Sequence, residues 1–178
     1  MSGRAWGRVA IVLLVTTIVQ VGVLNGLVVD GAHPDAFLLL AIVAGLVAGS
    51  QRGAVVAFFV GLVADLFVLT PFGLSSLCYV LVAFGVGAVA SLPAGRAPYG
   101  FRIVTAFTGG IAGSLLFDGI GALLGQPELP RHQLIVVVAV VAVANVVLVI
   151  PAAAAMTWAL SADSAGRELA TTSGGSAR

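Results

Sequence analysis

The sequence predicts an all-α protein of the membrane. A single helical domain over residues 1–160 crosses the bilayer about six times, both termini are cytoplasmic, and a disordered cytoplasmic tail follows at 161–178. Three observations lead there. Hydrophobic residues make up 60% of the chain and charged ones 8%, for a mean hydropathy of +1.17, a composition that belongs in lipid. Charges, prolines and turn clusters divide the chain into six apolar runs, each read as a helix because only helices and closed barrels satisfy their own backbone in hydrocarbon. The arginines, finally, fall mainly on alternate connections. The 178 residues leave little beyond these spans, so no separate catalytic domain fits, and a formal net charge of +1 gives no reason to expect nucleic acid as a partner.

The first run, Val9–Val29, follows Arg4 and Arg8. It is longer than the apolar core of a secretory signal and no small-x-small cleavage site follows it, so it reads as an uncleaved span. Ala36–Gly49 and Gly53–Leu69 are short and are parted only by Ser50-Gln51-Arg52, which predicts a tight helical hairpin or a first arm that is partly re-entrant. Gly73–Leu92 and Phe101–Leu124 supply the fourth and fifth spans. Gln133–Leu160 exceeds the bilayer thickness and holds Pro151, which predicts a kink or break near Ile150. From Ser161 onward Ser, Ala, Gly and Thr dominate, the composition of a disordered tail. With the N-terminus inside, Arg4, Arg8, Arg52, Arg96, Arg102, Arg167 and Arg178 are cytoplasmic and Arg131 alone is external, a strong positive-inside bias. Trp6, Tyr99 and Trp158 then sit near the cytoplasmic interface, where amphipathic rings are favoured.

Two carboxyl groups interrupt the apolar sequence. Asp65, in GLVADLFVLTPFGL, lies roughly 6 Å from the outer end of the third span, and Asp118, in SLLFDGIGALL, roughly 9 Å from the outer end of the fifth. A charge at mid-membrane costs about 3 kcal/mol on insertion scales, so both are predicted to face the bundle interior. Helical spacing agrees. Residues four apart share a face, and these faces read Gly53, Ala57, Gly61, Asp65 and Gly110, Ser114, Asp118, Ala122. Small residues at that spacing, repeated in Gly22/Gly26, Gly45/Gly49, Gly109/Gly113 and Gly121/Gly125, let helices approach closely. Gln20, Asn25 and Asn145 suit interhelical hydrogen bonds.

Other chemistry is thinly represented. His33 with Asp30 and Asp35, or His132 with Glu128, match no closed zinc spacing and read as loop polarity, so no metal is expected. No glycine loop ending in Lys-Ser or Lys-Thr is present, no nucleotide or other cofactor is expected, and the single cysteine, Cys78, reads as a small buried side chain. The aspartates therefore have three uses open to them: structural or partner-binding, a transport relay, or acid–base catalysis. Catalysis needs a wet cleft with further polar groups, and no intramembrane Lys, Arg or His completes a relay. The structural use is preferred. The alternative is a substrate-binding membrane subunit of a small-molecule transporter, which the two carboxyls near the outer ends keep open.

Gly53, then Gly61-Leu62-Val63-Ala64-Asp65-Leu66, then Thr70-Pro71-Phe72-Gly73-Leu74 leading into an apolar helix, together resemble the rod-shape-determining MreD family. His33-Pro34-Asp35 before the second run is similar to that family's Pro-Asp start of its second span. The resemblance is most specific over residues 34 to 90 and does not extend to Asp118 or Pro151. It implies a multi-pass protein of the bacterial cytoplasmic (inner) membrane without enzymatic activity, a scaffold of the cell-wall elongation complex that supports rod shape and lateral peptidoglycan synthesis. The implied partners are the bitopic MreC, the synthases RodA and penicillin-binding protein 2, and indirectly the actin-like MreB. The implied fold is similar to that of the substrate-binding subunits of energy-coupling-factor vitamin transporters. Gly61, Asp65, Pro71 and Gly73 are the motif positions carried over, with Pro71 and Gly73 fixing a turn that Asp65 braces.

Overall fold

The computed structural model describes residues 3–28, 31–67, 72–90, 99–126 and 130–174, with side chains through Ser161 in the last of these. Within them the chain forms helices α1 (Gly3–Gly22), α2 (Ala36–Ala48), α3 (Ser50–Ala64), α4 (Leu74–Ala90), α5 (Tyr99–Leu123) and α6 (Arg131–Gly174), with a 3₁₀ turn at Leu24–Gly26 after α1. Three stretches, Gly3–Gly26, Tyr99–Leu123 and Arg131–Ser161, are long and apolar enough to cross a bilayer, and on that length and composition this is a membrane protein. The other three apolar helices are shorter, at 13, 15 and 17 residues for α2, α3 and α4.

Helix α2 is the core of the bundle. Every residue from Ala36 to Gly45 is buried, and α2 touches all five other helices. That is the environment an all-round apolar helix requires. Asp35 starts it as an N-cap, its Oδ1 accepting the Leu38 N–H at 2.9 Å. Gly49 ends it with φ 79° and ψ 177°, a conformation essentially confined to glycine. With a single residue as the joint, α2 and α3 form the expected tight hairpin. Gly53 lies against Gly45, and a Cβ on Gly53 would come within 2.6 Å of the Gly45 Cα and 2.8 Å of the Ala44 carbonyl oxygen.

The same small-residue logic seats α4. A Cβ at Gly61 would overlap the Ser76 Cα and lie 2.6 Å from its nitrogen, one at Gly45 would overlap the Ala83 carbonyl oxygen, and one at Gly87 would overlap the Ser50 nitrogen. Backbones thus touch backbones among α2, α3 and α4. On α5, Gly109 and Gly113 receive the side chains of Ile42 and Leu38. The face Gly53, Ala57, Gly61, Asp65 is buried along its whole length, as its spacing predicts. Gly22 and Gly26, by contrast, face open space, and Gly125 serves a turn with φ +80°.

Arg8 closes the bundle at the end nearer the N-terminus, donating to the Trp158 carbonyl oxygen at 3.1 Å with its guanidinium 4.8 Å from the Trp158 ring centroid. Large apolar side chains cover the outside, among them Ile11, Leu14 and Ile18 on α1, Phe107 on α5, and Val143 and Val147 on α6. Such a surface is suited to lipid.

Element bounds differ from the sequence reading, most of all in α1, α3 and α6. Helix α1 begins at Gly3 rather than Val9 and ends at Gly22. Helix α3 starts at Ser50 and stops at Ala64 rather than spanning Gly53–Leu69, because Gly49 alone makes the turn before it and Asp65 caps its end. Of the kink or break expected near Ile150, no break occurs: α6 continues through Pro151, which membrane bundles tolerate where neighbours re-satisfy the freed backbone. Its backbone is also helical to Gly174, beyond Leu160, where the sequence reading ends the domain.

The glycine contacts predict a contrast. Gly61→Ala should lower stability by about 1–3 kcal/mol through overpacking, whereas Gly85→Ala, in α4 with nothing within 4 Å of its Cβ position, should be neutral or stabilising by up to about 1 kcal/mol. Thermal unfolding of both variants in one detergent reads the difference.

Candidate functional site

Asp65 sits where α3 ends, its own N–H donating to the Gly61 carbonyl oxygen at 2.8 Å. Its side chain is 5% exposed and turns toward the start of α4. There Oδ1 accepts the Ser75 N–H at 3.0 Å, while Oδ2 accepts the Gly73 N–H at 2.9 Å, the Ser76 hydroxyl at 3.1 Å and the Ser76 N–H at 3.4 Å. The first amides of a helix have no partner within it and carry the positive end of its dipole. Asp65 supplies both the missing acceptors and the complementary charge, from the preceding helix rather than from the usual N-cap position. Gly61, one turn before it, lets the Ser76 backbone come close enough. Gly73 has φ +99°, a left-handed conformation that favours glycine. Three of the four motif residues are therefore joined in one unit; Pro71 lies outside the described residues.

A second capping centre, which the sequence reading assigned to loop polarity, is built on Asp35. Its Oδ2 accepts the Tyr79 hydroxyl at 2.8 Å, tying the start of α2 to α4. Burial is the largest influence on this carboxyl and raises its pKa above the ordinary aspartate value, against the downward pull of the Leu38 N–H and the Tyr79 hydroxyl. Gln20 completes the corner. Its Oε1 accepts the Ala36 N–H at 2.8 Å, and its Nε2 donates to the Pro34 carbonyl oxygen at 2.9 Å and to Asn25 Oδ1 at 3.0 Å. Aspartate directly before an apolar run is an N-cap signal, so Asp35 was findable; Gln20 was expected to bond between helices and does so, while Tyr79 carried no signal.

These contacts lie at one end of the bundle, formed by the ends of α1, α3 and α5 and the starts of α2, α4 and α6. That distal end holds a partly open cavity of about 420 Å³, within the usual range for small-molecule sites. Asp35, Tyr79, Ser75 and Asn25 line it, and so do Ser114 and Asp118 from α5. The structure thus groups Asp118 with Asp35, while Asp65 is not part of the wall. Asp118 is half-buried and has no hydrogen-bond partner among the described residues. Ser75 is 1% exposed, and its Oγ is without a partner although its N–H is bound to Asp65.

Of the remaining candidates, His33 lines the cavity, but no group of three metal-ligating side chains occurs among the described residues. Asp30 and Glu128 lie outside the described residues. Cys78 is free and buried, as expected. Asn145, expected to bond between helices, is buried against Gly110 with its Nδ2 unpaired. No family model, curated protein or solved structure matches the chain.

The two carboxyl groups should respond differently to the same change. In Asp65→Asn one acceptor oxygen remains and at least one α4 amide meets an NH₂ group, a loss of about 1–3 kcal/mol. Asp118→Asn removes no hydrogen bond and should stay within about 0.5 kcal/mol of wild type. Melting temperatures in detergent separate the two.

Proposed function

We propose that the chain is a non-enzymatic scaffold of the bacterial cell-wall elongation complex, of the MreD type, residing in the cytoplasmic membrane. In this reading α2, α3 and α4 complete six spans, both termini are cytoplasmic and the distal end faces outward. Short spans are accommodated by local thinning of the bilayer and by the burial of α2 within protein. The protein binds MreC and so helps connect MreB inside with RodA and penicillin-binding protein 2.

One observation carries the reading: the motif residues Gly61, Asp65 and Gly73 act together as a structural brace. Both Asp65 oxygens are held at the start of α4, Oδ1 by one donor and Oδ2 by three. A carboxylate held this way orders a turn and the start of the next helix, which fits a scaffold. The arginine distribution supports the orientation.

A second reading has an observation of its own. The distal cavity, an apolar wall with a few polar groups such as Asp118, Ser114 and Asn25, is what a substrate-binding subunit of a vitamin-type transporter would need.

Affinity purification of the tagged protein from its host in mild detergent, with mass spectrometry of what stays bound, discriminates them. The scaffold reading expects MreC with RodA and penicillin-binding protein 2, recovered in lower yield with Asp65→Asn. An ATPase module with a membrane coupling subunit would replace it by the transporter reading.

A further inference from the structure

We propose that the distal cavity binds a primary ammonium group carried on a small apolar body, either a free amine or the ethanolamine headgroup of a lipid. The assignment stands on the cavity alone and holds whichever role the chain plays.

The lining selects the sign of the ligand. Two carboxyl groups face the cavity, Asp35 at the start of α2 and Asp118 on α5, and no Lys or Arg does; His33 is the one basic side chain among the described lining residues. Asp35 is already engaged by the Leu38 N–H and the Tyr79 hydroxyl, so Asp118 is the open group: an anion would meet it with little to offset it, whereas a cation meets a complementary one. Acceptors also remain unused. Asp118 has no partner among the described residues, and the Ser75 Oγ is buried at 1% exposure without one. A buried hydroxyl left unpaired costs free energy, so this atom marks where a ligand's N–H belongs. An ammonium has three N–H donors and no acceptor, which suits such a wall.

The rest of the wall selects the body. Phe37 and Phe67 are stacked with ring centroids 6.3 Å apart, and both line the cavity with Phe117 and Tyr79. Aromatic faces attract a desolvated cation and pack an apolar body. With no cluster of three metal ligands among the described residues, a bare metal ion is a poorer match.

The test is titration of the purified full-length protein, in maltoside detergent at neutral pH, with 2-phenylethylamine, its neutral analogue 2-phenylethanol and the anion phenylacetate, read by calorimetry and thermal shift. The amine should bind saturably, about tenfold or more tighter than either analogue. Asp118→Asn should weaken it by about tenfold, and Ser75→Ala by about threefold to tenfold. Should Asp118→Asn fail to fold, Ser75→Ala decides alone, because its backbone bond to Asp65 is retained. Repeating the titration in nanodiscs identifies the source: competition by phosphatidylethanolamine but not phosphatidylglycerol assigns the lipid headgroup, and its absence assigns a free amine. Equal binding of amine and alcohol, no saturable binding, or full affinity in both variants would overturn the proposal.

Discussion

A buried carboxylate accepting the free amides of the next helix is the contact on which the distal half of this bundle depends. Asp65 bridges α3 to α4 across an eight-to-eleven-residue separation, reaching Gly73, Ser75 and Ser76. Burying such a charge alone would cost several kcal/mol, and donors from a helix start offset that cost where it arises. The bond works only because Gly61 and Gly73 flank it. One gives the backbones room to meet, and the other gives the chain a left-handed turn.

Packing then propagates from this corner by close approach of backbone. In a membrane there is little hydrophobic drive between helices, so contact distance and polar bonds decide association. The contacts at Gly45, Gly53, Gly61 and Gly87 hold α2, α3 and α4 together, while Asp35 and Gln20 fix the top of α2 to its neighbours. The longer helices α1, α5 and α6 surround this unit and present its apolar exterior. Capping at the distal end leaves the room between helices that becomes the cavity. Structure there is polar by necessity, since helix starts need acceptors, and the leftover acceptors are what a ligand would find.

Much of this was legible in the sequence. The four-residue spacing of Gly53, Ala57, Gly61 and Asp65 announced a buried face, and the three-residue gap after Gly49 announced a hairpin, because helical period and connection length are local properties. The grouping of Asp118 with Asp35 was not legible: it depends on how α5 packs on α2 through Gly109 and Gly113, and periodicity does not name the partner helix. Nor did small-residue spacing sort contacts from accidents, as Gly22 and Gly26 illustrate. The length of α3 was misjudged because Asp65 was read as part of a span rather than as the cap that ends one.

Hydrogen exchange at individual amides of wild type and Asp65→Asn, in the same nanodisc, tests the central claim most directly. The account predicts that the Gly73, Ser75 and Ser76 amides are protected in wild type and exchange much faster in the variant, while amides within α5 and α6 keep their rates. Identical exchange at those three amides in both proteins would contradict it, because the carboxylate would then not be what holds the start of α4.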